Sequence, residues 1–185
     1  MRTAAAERAS SRHVPVPVLA ALALILPVGP AGWLLSHHDA EPRPRPSRTL
    51  AQIADGAGCR LTEFQDDMKT NPPVMGRFAE RARVADGSYL GRRPPSLEAT
   101  THAMFHGRVL FQYRPDLPAS ERRAFDRLTR ADPDRVLLFE NQTGMPAPVA
   151  ATAYLSLLTC PRVDHRSIAA LDAFRERRRA FGQSF

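Results

Sequence analysis

Between residues 14 and 35 the chain carries no charge at all, and its strongly apolar part is Val16 to Val28. Twenty-two residues are enough to cross a hydrocarbon core that needs about 20 as helix. Pro15 and Pro17 fall in the first turn, where a missing N–H matters least. Pro27, Gly29, Pro30 and Gly32 weaken the second half, and Gly29-Pro30-Ala31 puts a proline inside the nearest small-x-small cleavage pattern. The segment predicts a transmembrane anchor, with a signal segment as the alternative, and Trp33 suits the interface. His37 to Arg48 then alternates proline with charge and predicts an extended, stiff tether.

Beyond the tether the pattern changes to short periodic runs. Gly58 to Phe64 alternates and predicts a first strand. Residues 65–100 read as loop, because Asn71-Pro72-Pro73 and Arg93-Pro94-Pro95 break both helix and central strand. Asp86-Gly87-Ser88-Tyr89 reads as a turn feeding a short extended piece. Val109 to Tyr113 predicts a strand with Val109, Phe111 and Tyr113 on one face. A helix is expected over 121–130, capped by Ser120 and burying Phe125 and Leu128. Val136 to Phe139 is wholly apolar, as a strand covered on both faces should be. Val149 to Cys160 alternates and predicts one further strand. It puts Val149, Ala151, Ala153, Leu155 and Leu157 on one face, and Thr152, Tyr154 and Ser156 on the other. A last helix is expected from Asp164 to about Phe181, with Ile168, Leu171, Phe174 and Phe181 as its apolar stripe. Strands and helices do not alternate strictly. The expected fold is therefore α+β: a mostly antiparallel sheet with helices packed on one face. The expected organisation is a cytoplasmic N-terminus (1–13), a transmembrane anchor or signal segment (14–35), a linker (36–55) and an extracytoplasmic α+β domain (56–185).

Charge and cysteines refine this picture. The formal net charge is +7, carried by 25 arginines and Lys69 against 19 acids. Residues 1–48 contribute +3, so the folded part is only mildly basic, and its arginines are dispersed. No basic stripe with interleaved aromatics appears, which argues against a nucleic-acid partner. Arginines flank the apolar run on both sides, so charge alone does not orient it. The two cysteines, Cys59 and Cys160, stand near the two ends of the folded region. Behind an export-type segment they predict one disulfide and a location outside the cytoplasm. The cell membrane is the expected site, with lipid contacted through the anchor; protein partners and oligomeric state are unspecified. Arginines beside the anchor also suit anionic lipid head groups.

The densest candidate chemistry is Thr101 to Gly107. His102 and His106 stand four apart, which on a helix stacks both rings on one face, as in shared metal sites. Met75, Met104 and Met145 lie in loop or motif regions, and thioethers with imidazoles would suit copper, with zinc the other option. Asn141 to Pro146 reads as a long turn in which Gly144 takes positive φ. With Met75, Met104 and Met145 it marks a candidate pocket. No nucleophile elbow, phosphate-binding glycine loop or dinucleotide fingerprint occurs. Catalysis is therefore not indicated, and no catalytic residue is assigned.

Several stretches together carry a resemblance: His102-x-x-x-His106-Gly107-Arg108-Val109, Tyr113-Arg114-Pro115-x-Leu117-Pro118, Asn141 to Pro146, Val149 to Ala153 and Leu158-Thr159-Cys160. They resemble a bacterial domain-of-unknown-function family found on exported or single-pass membrane proteins, over about residues 56–182. The family pattern reads His-x-x-Glu-His-Gly, whereas Phe105 precedes His106 here. It also has Ser-Gly-Pro-His after a paired proline, where this chain has Val74-Met75-Gly76-Arg77. The resemblance implies no activity. The expected role is a membrane-anchored, extracytoplasmic, non-catalytic binding or cell-envelope accessory protein; the alternative is a copper or zinc domain, or a metalloenzyme, using His102 and His106.

Overall fold

The computed structural model describes residues 47–65, 69–77 and 79–179. The expected anchor, the N-terminal part of the tether and Phe181 lie outside the described residues. Among the described residues no helix is long and apolar enough to cross a membrane.

The domain is α+β, and its described residues form four helices around one six-stranded sheet. The helices are α1 (Leu50–Gly56), α2 (Leu97–Phe105), α3 (Ala119–Ala131) and α4 (His165–Arg178). The strands are β1 (Arg60–Glu63), β2 (Gly87–Ser88), β3 (Val109–Tyr113), β4 (Val136–Glu140), β5 (Val149–Ala153) and β6 (Ser156–Cys160). Their order across the sheet is β1-β6-β5-β3-β4-β2. The sheet is mixed, which corrects the mostly antiparallel expectation. β1, β6, β5 and β3 pair antiparallel, but β3–β4 and β4–β2 pair parallel. The reason is α3: a helical crossover returns the chain to the same end of the sheet, and a parallel neighbour needs such a connection.

β3 and β4 are buried on both faces, and this decides the layering. Val109, Phe111, Tyr113, Val136 and Leu138 join a core with Leu50 and Ala54 of α1, Phe125 of α3, and Ala170, Leu171 and Phe174 of α4. The Phe111 and Phe125 rings pack with centroids 5.0 Å apart. Leu110, Leu137 and Phe139 point the other way, into a second core with Ala103 and Met104 of α2, flanked by Val84, Tyr89 and Tyr154. Helices therefore cover both faces, three on one and α2 on the other, which corrects the one-face expectation. A strand apolar on both sides leaves no face for solvent.

The Val149–Cys160 run is a hairpin, not one strand. Ala153 pairs with Ser156 across a two-residue turn at Tyr154 and Leu155, and Leu155 takes φ 57°. The turn lacks the glycine or asparagine that normally marks a positive-φ position. It also reverses the parity after Ala153, so Leu158 and Cys160, not Leu157, continue the first core. α3 starts after Pro118, without a side-chain cap from Ser120. α1 occupies the end of the stretch read as linker; Thr49 and Gln52 form its reciprocal capping box.

Cys59 and Cys160 form a disulfide, with Cα atoms 4.3 Å apart, one register step beyond the Arg60–Thr159 pair. It fastens the end of α1 and the edge strand β1 to β6. α4 is tied in from its own C-terminal half. Buried Arg175 donates to the carbonyls of Leu128 and Asp132 at 3.3 and 3.0 Å, covering the open end of α3, and pairs with Asp172. Arg178 pairs with Glu63 of β1.

The start of α4 has a titratable dependence. Asp164 accepts from the Ser167 and Arg166 amides at 2.9 Å each and from Arg162 at 2.7 Å. The Ser167 amide first, then the Arg162 side chain, hold its carboxyl down to about 2. A depressed folded-state pKa means stability present above the unfolded value and lost as pH falls toward the folded one. Asp164→Asn keeps a capping acceptor that does not titrate. Acid unfolding followed by circular dichroism should therefore show a shallower loss of stability below the usual carboxylate range for Asp164→Asn than for the wild type. Identical acid limbs would contradict the assignment.

Candidate functional site

The His102 and His106 rings do converge, and the fold explains how. Ser96 caps α2 through the Ala99 amide at 3.3 Å, and the helix ends at His106, followed by Gly107 at φ 75°. Ala103 and Met104 face the sheet. His102, also buried, turns toward the 79–86 segment, while His106 sits at the exposed helix end.

The hydrogen bonds assign the protons. Nδ1 of His102 lies 3.2 Å from the carbonyl oxygen of Ala82, which can only accept, so Nδ1 carries the proton. In the uncharged ring this leaves Nε2 of His102 as the acceptor. Nε2 of His106 lies 2.9 Å from it and donates its N–H. Ring centroids are 4.7 Å apart. The order is therefore His106 to His102 to backbone, a polarised relay ending on a fixed carbonyl. Loss of water around the ring first, then the nearness of His102, Arg108 and Arg83, lowers the His106 pKa below the usual imidazole value. His106 is thus favoured neutral, as the relay needs.

His106 opens onto a cleft of about 380 Å³ lined by Arg83, Asp86, Arg108, Asp134 and Arg135. Asp86 organises it, accepting from Arg108 Nε at 2.5 Å and from the Arg135 amide at 3.1 Å. Arg135 takes φ 54° to present that amide.

Two imidazoles with convergent Nε2 atoms supply part of a metal ligand set, and a backbone-bonded Nδ1–H is the usual support for such a ligand. Among the described residues no group of three or more His, Cys, Asp or Glu side chains assembles that could hold a metal. Three guanidiniums around the same cleft also oppose an added cation.

The candidate pocket residues do not gather at this pair. Met104 is core, against Leu110, Leu137 and Phe139. Met145 is buried with its amide on Asn141 Oδ1 at 3.1 Å, Met75 is half-buried, and Gly144 is exposed at φ 64°. The turn that carries Gly144 and Met145 instead borders a buried amide network that sequence reading missed. Asn141 Nδ2 donates to Gln112 Oε1 at 2.8 Å, and Gln112 Nε2 to Thr152 Oγ1 at 3.2 Å. Asn71 Nδ2 reaches the Thr143 and Gly144 carbonyls at 3.0 and 3.2 Å, pinning the long 69–77 segment to the 141–146 turn. Gln112 alone in an apolar strand was the available signal. A buried amide needs partners, and Thr152 on a neighbouring strand supplies one.

A family model described as "Protein of unknown function (DUF3105)" matches residues 65–180, and the chain belongs to that family. No curated protein and no solved structure matches the chain.

The two histidines should separate in mutagenesis. His102→Ala leaves the Ala82 carbonyl and the His106 N–H without their partner and should cost about 1–3 kcal/mol of stability. His106→Ala, at an exposed helix end, should stay within about 0.5 kcal/mol. Denaturant unfolding measures both; equal costs would contradict the relay order.

Proposed function

We propose that this chain is a single-pass membrane protein whose C-terminal domain lies outside the cytoplasm and serves as a non-catalytic binding or cell-envelope accessory module. The observation that carries the reading is the Cys59–Cys160 disulfide. Disulfides persist in oxidising compartments and are rare in reducing ones. The uncharged run from Val14 to Leu35 supplies the means of export and retention. The two features are independent in sequence and agree.

Protein taken from membranes of its native host should show both cysteines protected from alkylation until reduced, by intact mass. It should also stay in the membrane pellet on alkaline extraction. Free thiols at both positions would contradict the extracytoplasmic reading.

A second reading, copper or zinc binding by His102 and His106, is favoured by the convergence of their Nε2 atoms at 2.9 Å. If it holds, the full chain binds one equivalent of either metal in isothermal titration, and His102→Ala with His106→Ala abolishes the uptake. Substoichiometric uptake by the wild type would end it.

A further inference from the structure

A second groove lies away from the histidine pair, between α1 and α4. It holds about 710 Å³ and is lined by Ser47, Arg48, Ile53, Ala57, His165, Arg166 and Arg177, together with Gly56 and Ala169. Three guanidiniums and an imidazole border it, and among the described residues no carboxylate lines it. Its floor is apolar, from Ile53, Ala57 and Ala169. Arg177 Nη2 donates to the Arg48 carbonyl at 2.8 Å, which fixes one wall. Arg48 and Arg166 are exposed, and their guanidiniums make no hydrogen bond or ion pair among the described residues. The histidine cleft is a weaker candidate, because Asp86 and Asp134 lie among its arginines.

The groove also stands where the chain enters the fold, since Ser47 and Arg48 are the residues leading into α1. Residues 36–46, eleven in all, separate the apolar run from Ser47 in the sequence. A domain on so short a tether meets one membrane surface at high effective concentration.

We infer that the α1–α4 groove docks onto the phosphates of anionic lipid head groups, with Arg48, Arg166 and Arg177 as the contacts. The inference rests on the membrane-anchored reading above. Guanidiniums bind phosphate oxygens in a bidentate fork, and the apolar floor suits the glycerol and upper acyl region. Docking would hold the domain with α1 toward the bilayer and leave the His106 cleft, on α2 and the other face of the sheet, open to other partners.

The test uses the full chain reconstituted in phosphatidylcholine bilayers, with and without roughly one-third phosphatidylglycerol. Hydrogen exchange is followed over residues 47–58. Anionic bilayers should slow exchange there, and about 0.5 M salt should reverse the effect. Each arginine near an anionic surface is worth roughly fivefold, so Arg48→Gln with Arg166→Gln should weaken docking about 25-fold. Arg81→Gln with Arg93→Gln changes the net charge equally at two exposed residues that do not line the groove, and should leave the protection in place. Equal exchange on neutral and anionic bilayers would overturn the inference. So would equal losses in the two double variants, or the same protection from inorganic phosphate on neutral bilayers. A chain extracted from the bilayer by alkali contradicts the anchor reading separately. Cosedimentation of that chain with the two vesicle types at low salt then reads the groove by itself. Retention only on the anionic vesicles supports it, and retention on neither overturns it.

Discussion

Burial of β3 and β4 on both faces is the constraint on which the rest of the domain depends. Val109, Phe111, Val136, Leu137 and Leu138 have no exposed surface, and Leu110 and Phe139 very little. At about 25 cal/mol per Å² of apolar surface, two such strands cannot be left uncovered on either side. α1, α3 and α4 close one face. On the other, α2 is too short to cover the sheet alone, and Val84 and Tyr89 from the segment before it pack into the same core. That explains why a loop-rich stretch of this length is present in a small domain, and why it is pinned outward, by Asn71 to the Thr143 carbonyl, by the Val74 carbonyl to the Leu155 amide and by the Tyr89 amide to the Leu138 carbonyl.

The position of the histidine pair follows from the same constraint. α2 gives Ala103 and Met104 to the sheet, so His102 and His106, on a neighbouring stripe, turn toward the covering segment. There the Ala82 carbonyl fixes His102, and His102 fixes His106. Asp86, from the same segment, ties Arg108 to the Arg135 amide and builds the cleft wall. The pair is thus part of the seam between helix and cover, with one ring inside it and the other at its mouth.

Much of the fold was legible in the chain, and each miss has its own physical cause. β3, β4 and α4 follow directly from periodicity, and Asp164 from its capping chemistry. The disulfide was legible because two cysteines admit one pairing. The parallel β3–β4 pair was not, because strand direction depends on where α3 delivers the chain and not on alternation. The β5–β6 turn was hidden because Leu155 takes a positive φ that its side chain does not advertise. α2 was read only as a spacing of histidines, since the proline pairs before it suggested continuous loop. α1 was missed because Leu50, Ile53 and Ala54 make too short an apolar stripe to stand out, and its stability comes from packing on α4. At the site, the spacing of His102 and His106 was legible. The arginine and aspartate partners were not, because Arg83, Asp86, Arg108 and Arg135 come from separate segments.

The division of labour between the sheet centre and the disulfide is the central physical claim. The two-sided strands hold the domain together, while the cystine pins α1 and β1, a four-residue edge strand, to that body. In the chain-entropy model a bridge spanning 101 residues adds ~4–5 kcal/mol against unfolding. Native-state hydrogen exchange with and without reductant measures this directly. Protection should be highest at β3, β4 and β5 in both states, and reduction should release the amides of α1 and β1 first. Loss of protection at β3 and β4 together with β1 on reduction would contradict the account, as would β1 remaining as protected as before.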